Sequence, residues 1–294
     1  MFKGQDLSQG EKGGKNNPYG VLLTLIWDKF FRRVILVAIF GGIDGTGPSD
    51  SAVYAKDFAK SHVRTMWSGW SNLMSYYVRG PNNMGSETAG LARSMVQTIA
   101  PQYRRLAKLH ADGKGDKKPP AIILSGYSRG GAAATYACHL LQAQKIPVHA
   151  LLLFDAVDRT YTISDSEATV PSNVSFCYHA RRDPKAQSRT SFGNCSTGVV
   201  GRVSYSEKFF YCTHGGVGGC PWKTAEEGGY IYEGYGGKAA AYGVGALAGP
   251  LAPFVGSQLR ESQRTNVKLH QDKAGAVASG NWMKANLQVV LSKL

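Results

Sequence analysis

Short runs of consecutive apolar residues recur along the chain, and stretches of helical periodicity separate them. Val34-Ile-Leu-Val-Ala-Ile-Phe40, Ala121-Ile-Ile-Leu-Ser125 and the Leu-rich segment 148–154 are apolar at almost every position. That pattern predicts strands covered on both faces rather than half-exposed ones. Met74–Val78, Val174–Tyr178 and Lys208–Cys212 complete the set of expected strands. Between them, Ser51–Met66 reads as a helix. Glu87–Leu109 reads as another, with Leu91, Met95 and Ile99 on its apolar side and an interruption or kink expected at Pro101. A third helix, built from Gly130, Gly131, Ala132, Ala133 and Ala134, is expected directly after Ser128. Strands alternating with helices predict an α/β fold, a mostly parallel sheet with helices on both faces.

The ends of the chain read differently. Residues 1–30 are largely polar, at least through Asn17, and form an expected lead-in, partly mobile; residues 31–294 form a single domain with a Gly-rich C-terminal region. The polar N-terminus has no signal-peptide pattern, so the expectation is a chain cytoplasmic as made, or exported by a dedicated secretion system. Residues 239–257 are apolar, but their Gly, Pro and Ala content reads as a buried loop and helix rather than a membrane span. A chain of 294 residues can bury a core without disulfides or metals.

Charge narrows the choice of partners. The 34 Lys and Arg against 20 Asp and Glu give a formal net charge of +14, which favours anionic partners such as phospholipid head groups or an acidic protein. A merely solubilising surface is the competing reading. The only tight basic cluster is Lys114, Lys117 and Lys118; no helix-turn-helix or aromatic-interleaved basic motif accompanies it, which argues against nucleic acid. The five cysteines include no CxxC pair, which argues against a zinc ribbon or a thioredoxin-like site. Cys212 and Cys220 flank a Gly-rich loop that an oxidising compartment would allow to be bridged, and the odd count leaves at least one thiol unpaired. No metal site is evident, and no cofactor is expected.

The strongest chemical signal is Gly126-Tyr127-Ser128-Arg129-Gly130, set between an apolar strand and a small-residue helix. A serine on such a turn stands exposed at the end of its strand, and the glycines give its backbone room. The competing reading is a tight turn whose serine only caps the helix. A nucleophilic serine needs a base, and the base an orienting carboxylate, here expected in the chain order serine, acid, base. His214, after the strand Lys208–Cys212, is preferred as base over His179, which ends an earlier strand, and over His270, in a polar segment. Asp155, at the end of the very apolar strand 148–154, is preferred as acid; Asp183 is second, and Asp158 is read as a cap. The oxyanion-binding amides are expected from Arg129 and from Asp44 and Gly45, in the loop after the first strand. The Asp44 side chain reads equally well as a turn residue bonding its own loop.

In order, Ile43-Asp44-Gly45-Thr46-Gly47, Tyr76-Tyr77-Val78-Arg79-Gly80, Gly126–Gly131, Phe154-Asp155-Ala156-Val157, Tyr178-His179-Ala180 and Thr213–Gly219 resemble motifs of one family. It is the bacterial α/β-hydrolase family that includes type VI secretion phospholipase effectors, and the resemblance covers about residues 34–220. It implies Ser128 as nucleophile, Asp155 as acid and His214 as base in a serine esterase or lipase that cleaves lipid acyl esters through an acyl-enzyme. It further implies an anionic bacterial membrane as the surface acted on and, for a toxin, a neutralising partner protein. Two departures bear on substrate. His214 is followed by Gly215-Gly216 where the family has Ser-Asp, and the segment between Ser128 and Asp155 is short. The alternatives are an esterase on a soluble or cell-wall ester, and a catalytically silent fold used as a basic binding module.

Overall fold

The computed structural model describes residues 38–70, 74–158, 162–163, 168–225, 227–233 and 264–294. The expected lead-in, the start of the run Val34–Phe40 and the apolar segment 239–257 lie outside the described residues.

Six parallel strands form the central sheet: β1 (Ala38–Ile43), β2 (Ser75–Val78), β3 (Ala121–Tyr127), β4 (Val148–Phe154), β5 (Val174–Arg182) and β6 (Ser204–Phe210). Their order is β2-β1-β3-β4-β5-β6, and every neighbouring pair is parallel. Side-chain alternation divides the core in two. Ile39, Ile43, Ile122, Leu124, Leu151 and Leu153 meet the helices α3 (Thr88–Ala111) and α4 (Arg129–Ala143) on one face. Ala38, Phe40, Ile123, Leu152 and Phe154 meet α2 (His62–Gly69) and the C-terminal helix α6 (Leu269–Ser292) on the other. With both faces covered, the central strands can be apolar throughout, and each fully buried leucine contributes about 1.5–3 kcal/mol.

Strand register places the chemistry. Ile43 pairs with Gly126, and Tyr127 with Phe154, so the loops after β1, β3 and β4 emerge side by side at the carboxyl edge. The chain leaves β1 toward β2 on one side and returns to β3 on the other. The crevice at such a reversal is where open parallel sheets bind ligands.

Several expectations need correction. Ser51–Met66 is not one helix: α1 (Ser51–Asp57) ends early, and α2 starts anew at Ser61, whose hydroxyl caps it by accepting the amide of Arg64. The helix α3 runs through Pro101 rather than being interrupted there. Pro101 lies on the exposed side, as does Gln97, so water can satisfy the carbonyl that the missing N–H leaves behind. The last strand lies earlier than Lys208–Cys212, because this edge strand is largely exposed and carries no continuous apolar run. The antiparallel ribbon of β7 (Tyr230–Tyr232) and β8 (Arg264–Lys268), and α6 after it, have no counterpart in the expected elements. All five cysteines are free thiols, so Cys212 and Cys220 are not bridged.

Candidate active site

Ser128 sits between β3 and α4 with φ 56° and ψ −131°, a conformation that costs a non-glycine residue about 1–3 kcal/mol. Its surroundings fix that turn. The Ser128 amide donates to the Phe154 carbonyl at 3.0 Å, and the Ser128 carbonyl accepts the amides of Gly131 at 2.9 Å and Val157 at 3.2 Å. The flanking glycines are required by space. A Cβ on Gly126 would lie 2.4 Å from the Gly130 carbonyl oxygen, and one on Gly130 would lie 2.1 Å from that of Asp44. Backbone therefore meets backbone between the serine turn and the loop after β1. The N-terminus of α4 points at the same place and favours negative charge there.

His214 opens the short helix α5 (His214–Val217), capped by the Thr213 hydroxyl, which accepts the Gly216 amide at 3.0 Å. Its Nε2 lies 2.9 Å from Ser128 Oγ and its Nδ1 2.7 Å from Asp155 Oδ2. A carboxylate only accepts, so the ring proton belongs on Nδ1 and Nε2 is left to accept from the serine hydroxyl. The ring packs between Tyr127 and Phe192, with centroids 5.1 Å and 5.2 Å away. Burial pulls the imidazole's proton affinity below the ordinary histidine value, and Asp155 opposes that only in part.

Asp155 follows β4 with φ 43° and is fully buried. Burial alone would raise its pKa. The Arg182 guanidinium, followed by His214, outweighs burial and holds the carboxyl well below the usual range. Arg182 Nη1 lies 2.6 Å from Oδ2, and Asn194 Nδ2 donates to Oδ1 at 2.9 Å. The other expected candidates lie elsewhere. Asp183 caps the turn Pro184–Ala186 by accepting the Lys185 amide, and Asp158 is exposed. His179 is buried within β5, where Nε2 accepts the Ala156 amide at 3.1 Å, and burial lowers its pKa to about 4. His270 is exposed at the start of α6, directly after a strand that the polar sequence concealed.

The loop after β1 departs from expectation. The Asp44 amide donates to the Val78 carbonyl at 3.1 Å, and the Gly45 amide donates to the Asp44 carboxylate at 2.9 Å. Both amides expected to face an oxyanion are thus engaged within the fold. The Asp44 carboxylate also accepts the hydroxyls of Ser61 and Tyr77, so it organises its own loop. Burial raises its pKa to about 6 against those hydrogen bonds. Thr46, next along, lines the cavity beside Ser128, and its Oγ1 accepts Arg129 Nη1 at 3.2 Å.

The cavity over Ser128 and His214 measures about 240 Å³, with Phe192, Trp222, Arg129 and Arg189 among its walls. Four supporting residues escaped the sequence reading. Arg182 binds the acid, and Ser188 accepts the His214 amide at 2.7 Å. Glu233 accepts the Ser188 hydroxyl at 2.8 Å, and Asp272 holds Thr213. Only Arg182 left a signal: a buried acid ending an apolar strand requires a counter-charge. Among the described residues no group of three or more His, Cys, Asp or Glu side chains is placed to hold a metal ion. No helix among them is long and apolar enough to cross a membrane.

No protein-family model matches the sequence, and no curated protein matches it. Solved structures show distant likenesses. An uncharacterized protein from Pseudomonas aeruginosa is 14% identical, with a TM-score of 0.40, over 70% of this chain and 45% of its own. The Tle1 effector bound to the VgrG spike of the type 6 secretion system is 15% identical, with a TM-score of 0.33, over 67% of this chain and 54% of its own. The RedJ thioesterase of the prodiginine pathway in Streptomyces coelicolor is 12% identical, with a TM-score of 0.31, over 64% and 83%. The chain spans about half the length of the first two. Likenesses this distant carry no residue role or activity across. With its parallel sheet, helices on both faces, a serine turn after β3, a buried acid after β4 and a histidine loop after β6, the chain has an α/β-hydrolase-like fold.

Proposed function

We propose that this protein is a serine ester hydrolase in which Ser128 is the nucleophile, His214 the general base and Asp155 the acid that orients it. The observation that carries the reading is His214 itself, within hydrogen-bond reach of Ser128 Oγ at 2.9 Å and of Asp155 at 2.7 Å. Ser128 attacks the acyl carbonyl as its proton passes to His214 Nε2, and Asp155 stabilises the imidazolium. The tetrahedral oxyanion is received by the amide of Arg129, at the head of α4, and by that of Thr46, next after the two engaged amides. His214 then protonates the leaving alcohol, and water hydrolyses the acyl-enzyme.

The substrate class proposed is lipid acyl esters, with bacterial phospholipids foremost. The order of motifs supports it, and so do cavity walls that set Phe192 and Trp222 beside Arg129 and Arg189. The surplus of positive charge suits an anionic surface. A second reading, a soluble or cell-wall ester, is favoured by the size of the cavity, about 240 Å³, which suits a short acyl group.

The test is labelling by a fluorophosphonate probe, beside Ser128→Ala and His214→Ala, followed by nitrophenyl esters from acetate to palmitate and by phospholipid vesicles. Labelling of the parent that both substitutions abolish supports the triad, and long-chain preference supports the lipid reading. A folded parent that never labels overturns the hydrolase reading in favour of a binding module.

A further inference from the structure

Asp272 stands in the first turn of α6, fully buried, and takes no part in the proposed chemistry. Its Oδ1 accepts the Thr213 amide at 2.7 Å and the Thr213 hydroxyl at 2.8 Å. Its Oδ2 accepts the Trp222 amide at 2.8 Å. Thr213 immediately precedes His214, and Trp222 follows the turn that the Cys220 amide closes on the Gly215 carbonyl at 2.8 Å. One carboxylate thus joins the two ends of the loop that presents the histidine. The loop is shaped to admit it, since a Cβ on Gly216 would lie 2.3 Å from Asp272 Oδ1.

The histidine's aim must come from outside its own helix. α5 has four residues, two of them glycines, and so little rigidity of its own. Yet the His214 ring must meet Ser128 and Asp155 at once. Ser188 and Tyr127 bond the His214 backbone, at 2.7 Å and 3.2 Å, but neither reaches the ends of the loop. Asp272 reaches both. A buried carboxylate is tolerated only when hydrogen-bonded, and three donors meet this one.

We propose that Asp272 is a positioning residue for the base: by tying Thr213 to Trp222 it sets the direction from which His214 reaches Ser128. The proposal rests on the triad reading given above. Asparagine cannot replace the carboxylate, because its amide group would turn a donor toward either Thr213 or the Trp222 amide, where an acceptor is needed.

The test compares Asp272→Asn and Thr213→Val with Leu287→Ala, which loosens the same helix from the sheet without touching the histidine loop. Two readouts are taken at a temperature where all are folded: kcat and KM on a nitrophenyl ester, and the downfield proton resonance of His214 Nδ1–H against Asp155. Asp272→Asn is expected to lower kcat on the order of 100-fold with KM little changed, as for a reacting group displaced by a fraction of its working distance. It is also expected to shift or broaden the downfield resonance, and Thr213→Val to do the same more weakly. Leu287→Ala should lower Tm and leave both readouts near the parent.

Retention of kcat and resonance in folded Asp272→Asn would overturn the proposal. So would losses in Asp272→Asn and Leu287→Ala that track Tm alike. Should Asp272→Asn not fold, an unchanged resonance in Thr213→Val would overturn it. An inactive parent whose resonance nevertheless responds to Asp272→Asn would sink the hydrolase reading and leave the positioning role standing.

Discussion

Arg182 and His214 donate to the same oxygen of Asp155, the guanidinium Nη1 from 2.6 Å and the imidazole Nδ1 from 2.7 Å. The arginine does more than balance the acid. Its remaining donors hold the carbonyls of Ser188 at 2.9 Å, Arg189 at 3.2 Å and Phe192 at 2.5 Å, so one side chain ties a cavity wall to the acid.

Loss of that charge has a definite sign. Against burial, which would raise it, Arg182 is the main reason the Asp155 carboxyl lies below its usual range, and it adds to the burial that keeps His214 neutral. Removing it raises both proton affinities. The acid limb of kcat/KM, which in the parent should fall below pH 6.5, is expected to move up in Arg182→Gln. The depressed Asp155 pKa contributes stability that is present above the ordinary carboxylate range and is lost as pH falls from there toward the folded value; in Arg182→Gln, whose folded value is less depressed, less of that stability is present to lose. Breaking the buried pair should also cost about 3–5 kcal/mol. Arg182→Lys keeps the charge but not the carbonyl contacts, so its limb should stay in place while KM rises. A Gln variant with the parent's pH profile would show that the charge does not reach the base.

Asp44 predicts the opposite pH dependence. Its folded pKa, about 6, lies above the ordinary aspartate value of 3.8, so the ionised form is the one that folding disfavours. Stability from this group is present below the ordinary carboxylate range and is lost as pH rises through about 6, by roughly 3 kcal/mol in all. Asp44→Asn removes the titration, and the Ser61 and Tyr77 hydroxyls can rotate to accept from its amide. The stability of Asp44→Asn relative to the parent should therefore rise from about pH 4 to about pH 6 and level off above, as chemical denaturation at each pH would show. A constant difference would mean that Asp44 stays ionised throughout.

Gly130 tests the contact on which the serine turn is built. Its absent Cβ would meet the Asp44 and Ile43 carbonyl oxygens at 2.1 Å and 2.4 Å, and backbone at both ends leaves nothing flexible to yield. Gly130→Ala should therefore push the head of α4 away from the loop after β1, separating the amides proposed to hold the oxyanion. Loss of one such donor costs about 100- to 1,000-fold in kcat. Gly90→Ala is the control, since open space surrounds it on the first turns of α3. Equal activities would place the oxyanion site elsewhere.

How much of this was legible in the sequence depended on the physics behind each signal. The buried strands β1, β3 and β4 announce themselves because strands covered on both faces must be apolar throughout, and Gly126–Gly130 announces the turn because only glycine fits beside it. The placement of Ser128, Asp155 and His214 at one edge followed from strand order. What stayed hidden was polar and long-range. Arg182, Glu233 and Asp272 act through hydrogen bonds to other segments of the chain, and no local periodicity records them. The edge strand β6 was misplaced because solvent covers most of it. The engaged amides of Asp44 and Gly45 depend on β2 and on a side chain folding back on its own loop, neither of which spacing encodes.

The basic cluster Lys114, Lys117 and Lys118 precedes β3, whereas Ser128 follows it. Seven strand residues at about 3.3 Å each put roughly 20 Å between the cluster and the nucleophile, at opposite ends of the sheet. That exceeds the Debye length of about 8 Å at physiological ionic strength, so these lysines cannot draw the cavity mouth onto an anionic membrane. Charges near the mouth can: Arg189 lines the cavity, and Lys223, whose ammonium lies 3.8 Å from Asp57, is the next residue after Trp222 of its wall. Replacing all three cluster lysines by glutamine should leave hydrolysis of anionic vesicles within about twofold of the parent. Arg189→Gln with Lys223→Gln should lower it more, and added salt should narrow the difference between that pair and the parent. If the triple variant instead loses vesicle hydrolysis while keeping soluble-ester activity, the protein meets the membrane by the pole opposite its serine, and the proposed approach to lipid is wrong.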